Sequence, residues 1–211
     1  MKNKLCFFLI FVSLYCYAQD SKKGVLNIKK IGFLYNYANK KNFLFDDKDY
    51  AYHTNTYKLQ AFYYLGNWKS LDFDLIVQPQ VQVIKHQLIN KYFILPNEDH
   101  FQEKIAEFSK LKTMHIYALE LGFAVKKQLL SKLELQLTIG LALATIDTRT
   151  ERLAKGFTFV ENGSLGLNYQ TFNKTTLYLG TNVGHVSNFD TKSPNNGYSI
   201  LGIEVGVSYK L

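Results

Sequence analysis

Residues 71–83, LDFDLIVQPQVQV, alternate with a period of two. Leu71, Phe73, Leu75, Val77, Pro79, Val81 and Val83 fall on one face of an extended segment. Asp72, Asp74, Gln78, Gln80 and Gln82 fall on the other. At about 3.3 Å per residue the run spans roughly 40 Å, ample for a tilted crossing of a bilayer core. Pro79 lacks a ladder N–H and predicts a local irregularity. Seven further runs follow the same scheme, near 29–38, 56–65, 113–125, 132–147, 157–169, 174–188 and 197–211. Within 133–144 every odd position is Leu or Ile, against Glu134, Gln136, Thr138, Gly140, Ala142 and Ala144. Small and polar residues are what the interior of a narrow barrel accepts.

The connections carry the topology. Short links at 66–70, 126–131 and 170–173 alternate with longer ones at 39–55, 84–112, 148–156 and 189–196. Eight strands with both termini on one side give three inner turns and four outer loops. Outer-membrane barrels of bacteria show that asymmetry, with short periplasmic turns and longer external loops. The predicted fold is therefore all-β, an eight-stranded antiparallel transmembrane β-barrel. The 84–112 loop holds PNEDHFQEKIAEFSKLK, with Phe101, Ile105 and Phe108 at helical spacing, and predicts one short amphipathic helix capping the barrel or lying at the interface. Composition changes the picture little. A chain with 47% hydrophobic residues, 15 Tyr and 16 Phe suits aromatic girdles, and equally a secreted β-sandwich.

The first residues, MKNKLCFFLIFVSLYCYA, read as a secretory signal over 1–18, which leaves a single barrel domain over 19–211. Cys6 and Cys16 both lie in the signal, so the mature chain has no thiol, disulfide or cysteine metal site. Its formal charge falls from +8 to +6 with the loss of Lys2 and Lys4. No basic block resembles a nucleic-acid track, and a diffuse positive surface suits anionic lipid headgroups. Asp46, Asp47 and Asp49 in the first long loop read as a solvated cluster rather than a calcium site, and no cofactor is expected. No zinc-protease helix, phosphate loop or dinucleotide fingerprint occurs.

The run 174–188 carries the chemistry. Its odd face reads Leu177, Leu179, Thr181, Val183, His185 and Ser187, so a potential base and a potential nucleophile share the lipid side at the outer end of the strand. Serine becomes a nucleophile when a base accepts its proton, and histidine titrates in the required range. Pairing across the 189–196 loop places Ser199 roughly opposite Ser187. A tight turn at 170–173 places Glu161 opposite Val183 and diagonal to His185. Glu161 has odd parity, and a charge on a lipid face calls for an interface or a partner. It is the expected orienting carboxylate.

His185-Val186-Ser187-Asn188, followed by Pro194-Asn195-Asn196-Gly197, resembles the PagL-type lipid A 3-O-deacylases, also described as acyloxyacyl hydrolase-like proteins. The motif covers about fifteen residues, and the eight-strand layout with its signal covers the chain. The resemblance implies an outer-membrane esterase acting on lipid A of lipopolysaccharide. It implies His185 as base, Ser187 as nucleophile and Asn188 as the oxyanion-side residue. The family's Glu, fourteen residues after the His, falls on Ser199, a departure from the pattern. Arg149, Arg152 and Lys155, in the outer loop 148–156, are the expected contacts for lipid A phosphates. Two other classes stay open: a non-catalytic barrel in adhesion or membrane integrity that keeps a degenerate motif, and a soluble lipid-binding β-barrel with its apolar faces inward.

Overall fold

The computed structural model describes residues 27–40, 48–172 and 174–211. The signal over 1–18, and Asp46 and Asp47, lie outside the described residues. Eight strands follow one another in a ring: β1 (Ile28–Asn39), β2 (Tyr50–Trp68), β3 (Leu71–Leu88), β4 (Lys112–Leu130), β5 (Leu133–Ile146), β6 (Gly156–Gln170), β7 (Thr175–Ser187) and β8 (Tyr198–Lys210). Each pairs antiparallel with its neighbours, and β1 pairs with β8 to close the barrel. Helix α1 (Phe101–Phe108) lies in the β3–β4 loop, as its spacing predicts.

Parity holds around the wall. Odd residues oppose odd residues at successive seams, as in Tyr57↔Val81, Val81↔Tyr117 and Tyr117↔Thr145. Odd-numbered Leu119, Leu143, Leu179 and Ile203 are exposed on the outer face, while even-numbered Gln82, Ile116, Ala142 and Glu204 are buried inside. That arrangement excludes the soluble barrel with inward apolar faces. The outer band is bordered toward the loops by Tyr37, Tyr57, Tyr117 and Phe157, and toward the turns by Trp68, Tyr169 and Tyr209. Aromatic girdles of this kind flank the apolar band of outer-membrane barrels at the two membrane interfaces. Val205→Arg, outward in the middle of this band opposite Leu179, is expected to destabilise the barrel by about 2–4 kcal/mol in lipid vesicles, read from equilibrium unfolding.

The interior is packed in layers. Tyr52, Ile84, Met114, Ile116, Ile146 and Ile200 fill the end nearest the loops. The middle is polar. Glu120, 1% exposed, accepts from Lys58 at 3.0 Å, Gln78 at 2.8 Å, Gln80 at 3.1 Å and Asn162 at 2.7 Å. Four donors satisfy a carboxylate that burial would otherwise penalise severely. Gly140 faces it because any Cβ there would collide with the Glu120 carboxylate. Phe62, Ile76 and Ala124 form the next layer, and Lys126 pairs with Asp74 at 2.7 Å beneath them. At the loop end, Phe101, Ile105 and Phe108 of α1 pack with Tyr50, Leu88 and Ile94, so the helix caps the barrel.

Several strands outrun the alternation that predicts them. β2 begins at Tyr50 rather than 56, and β3 continues to Leu88 rather than 83. Their extra residues include outward His53, Lys85 and Gln87, which rise above the apolar band. There the hydrogen-bond ladder persists while hydrophobic alternation does not. Pro79 has the predicted local effect: β2–β3 pairing lapses between Lys58↔Gln80 and Ala61↔Val77, and a Gln60–Gln78 side-chain hydrogen bond of 2.6 Å spans the gap.

Candidate active site

β7 ends on His185, Val186 and Ser187. Val186 is fully buried, so its two neighbours point to the outer face at the loop end of the apolar band. The register here differs from expectation by two residues on both sides. Glu161 lies directly opposite His185 rather than diagonal to it, and Ser199 lies opposite His185 rather than Ser187. The cause is turn geometry. β6 and β7 are joined by four residues, closed by Thr171 N–H donating to Thr175 O at 2.9 Å. A shift of two keeps parity, so Glu161, His185 and Ser199 form one row across β6, β7 and β8 on the lipid side.

Within that row the imidazole Nδ1 and the Ser199 hydroxyl are 3.0 Å apart. Glu161 faces His185 from β6 and is exposed, without a hydrogen bond to the ring. Ser187 is 9% exposed and lies opposite Phe159, whose ring packs against Phe189 at 4.6 Å and Phe157 at 4.8 Å. These aromatics flank the nucleophile position. Odd parity identifies Phe159 in the sequence, whereas Phe189 follows the end of the strand and has no such signal. Below the row, the small outward Gly163 opens a hollow of about 640 Å³ bordered by Leu121, Ile139, Leu141 and Val183 and reaching His185.

The loop between β7 and β8 forms the roof. Asn188 is fully buried and organises it: its backbone N–H donates to Asn195 Oδ1 at 2.7 Å, and its side-chain amide donates to Lys192 O at 2.6 Å. In this structure its N–H is therefore engaged by Asn195. Gly197 adopts φ +61°, and a Cβ there would lie 3.0 Å from His185 Nε2 and 2.7 Å from Val186 O. The PNNG turn thus presses its glycine against the imidazole.

The β5–β6 loop braces this roof. Ala154 N–H donates to Pro194 O at 3.0 Å, and Asn196 N–H donates to Arg152 O at 2.8 Å. Arg152 turns away from the lipid. Its guanidinium packs over the rings of Tyr50 and Phe93 at 4.9 and 5.1 Å and pairs with Asp49 at 3.5 Å. Arg152 thereby ties three outer loops together. Arg149 and Lys155 are exposed. A histidine–carboxylate pair, His115 with Asp147 at 2.8 Å, stands on the wall at the β4–β5 rim, away from the His185 row. Burial would raise the Asp147 carboxyl, but the His115 backbone N–H and imidazole and the Thr148 hydroxyl outweigh it and hold it below the ordinary value.

Among solved structures, that of the outer membrane enzyme PagL aligns with 86% of this chain and 99% of its own, at TM-score 0.50 and 11% identity. The structure of Neisserial surface protein A (NspA) covers 86% and 96% respectively, at TM-score 0.48 and 13% identity. The PagL likeness is one of fold. Curated protein sequences give no match. The family model for lipid A 3-O-deacylase (PagL) matches residues 98–208, more than half of the 211 residues and the whole of β4 to the end of the site row. By that match, the chain belongs to the PagL lipid A 3-O-deacylase family.

Proposed function

We propose that this chain is exported to the outer membrane and there hydrolyses an ester-linked acyl chain, at the 3-O position, of lipid A in the outer leaflet. One observation carries the reading: His185 and Ser187 are successive outward residues where the apolar band meets the loops. An acyl ester lies at that depth, between hydrocarbon and headgroup. The hollow beneath Gly163 accommodates an apolar tail, and exposed Arg149 and Lys155 lie on the headgroup side for the phosphates.

Ser187 Oγ attacks the ester carbonyl and its proton passes to His185. With Nδ1 engaged by Ser199, Nε2 is the ring nitrogen left to receive it. The tetrahedral intermediate collapses, its sugar oxygen taking the proton back from His185, and water then resolves the acyl-serine by the same base. Glu161 is the carboxylate beside the imidazole. Asn188 shapes the oxyanion side through the loop it organises, its N–H exchanging Asn195 Oδ1 for the substrate oxygen.

The competing reading is a barrel without catalysis, and its supporting observation is specific: the imidazole is hydrogen-bonded to a hydroxyl rather than to a carboxylate. Mass spectrometry of lipid A decides between them. Cells expressing the protein should lose the mass of one acyl chain, and cells expressing Ser187→Ala, folded by heat-modifiable gel mobility, should not. Identical acyl patterns from the two strains would reject the esterase.

A further inference from the structure

An imidazole base needs two services from a triad's third member: a hydrogen bond that fixes ring and tautomer, and a negative charge that stabilises the imidazolium. One carboxylate ordinarily supplies both. In this site the hydrogen bond comes from Ser199, 3.0 Å from Nδ1, and the carboxylate is on the opposite strand. We propose that the two services are divided, Ser199 being the positioning residue for His185 and Glu161 supplying the charge from across the β6–β7 seam. This rests on the esterase reading above and deepens it.

The row is built for such a division. Directly opposed residues on neighbouring strands hold their Cβ atoms about 4.5–5.5 Å apart, so His185 has Glu161 on one side and Ser199 on the other. Ser199 is itself anchored, since Tyr52 donates its phenol to Ser199 O at 3.2 Å. As acceptor from Nδ1–H, its hydroxyl leaves the Nε2 lone pair toward the Gly197 side of the ring. A neutral hydroxyl offers the imidazolium little compensation. Glu161 faces the ring from β6, at a lipid boundary where water screens charge poorly. The other charged groups around the site are otherwise engaged: Asp190 of the roof with Asn195, and Lys192 with Lys155 O. On β8, Glu204 lies inside the barrel.

The test uses the full barrel refolded in detergent micelles, with lipid A as substrate, comparing Ser199→Ala, Glu161→Gln, and Glu161→Gln combined with Ser199→Glu. Ser199→Ala should lower kcat about tenfold or more with KM unchanged, within the range of general-base effects. Glu161→Gln should lower kcat and move the acid limb of the pH–rate profile to lower pH. The double variant, which returns both services to one carboxylate, should recover most of the lost rate and move the acid limb back up. A double variant no better than Glu161→Gln overturns the division, as does an unmoved acid limb in Glu161→Gln. Nitrogen-15 NMR of His185 gives a readout independent of turnover. The Nδ1–H tautomer should be fixed in the parent and averaged in Ser199→Ala. An unchanged tautomer rejects the Ser199 role even if no deacylase activity is found, whereas a fixed tautomer in an inactive parent rejects only the esterase reading.

Discussion

Replacing Lys58 by methionine is expected to destabilise the folded barrel by about 3–5 kcal/mol, the range for removing one partner of a buried ion pair. Lys58 is 4% exposed and its ammonium lies 3.0 Å from Glu120 Oε2. Methionine keeps the volume and removes the charge. Glu120 then retains Gln78, Gln80 and Asn162 as neutral donors, and Glu204 remains as a second buried carboxylate in the same interior. Urea unfolding in lipid vesicles, followed through Trp68, the chain's single tryptophan, provides the measurement. Adding Glu120→Gln should recover most of the loss, because removing both charges removes the uncompensated one. A loss under about 1 kcal/mol would mean that the neutral donors alone hold Glu120.

Gly197→Ala should reduce deacylation at least a hundredfold while leaving the barrel folded. The φ of +61° costs a residue with a Cβ about 1–2 kcal/mol, too little to unfold a closed eight-stranded sheet. The larger effect is positional. The new methyl would meet Val186 O at 2.7 Å and His185 Nε2 at 3.0 Å, so either the roof lifts or the ring turns. Displacement of a catalytic group by about 1 Å commonly costs a factor near 10². Lipid A mass spectra beside heat-modifiable mobility separate lost activity from lost fold. Activity within tenfold of the parent would show that the roof does not fix the imidazole.

How much of this was legible in the residues differs from one element to the next. The β3 segment LDFDLIVQPQVQV declares its two faces, and the same parity carried through eight runs is enough for the closed ring and for the outward direction of His185 and Ser187. Above the apolar band the signal ends: His53 and Lys85 point outward as polar residues, so alternation cannot mark where β2 begins or β3 stops. Register differs from expectation by two at both seams of β7, because the Thr171–Lys174 turn sets the β6–β7 pairing and the loop between Ser187 and Tyr198 the β7–β8 pairing, while hydrophobic pattern sets neither. That error spared parity, which is why Glu161 and Ser199 still reach the right face. Loop residues were least readable. Arg152 resembles a headgroup contact by charge and position, and only the rings of Tyr50 and Phe93, distant in sequence, turn it inward. Asn188 likewise takes its role from Asn195, seven residues on, rather than from the serine it follows.

Glu120, Lys58, Gln78 and Gln80 meet inside the bore, so hydrogen-bonded side chains occupy its middle. With its interior taken up by its own hydrogen bonds, the barrel offers substrates its convex outer wall, where the proposed site lies.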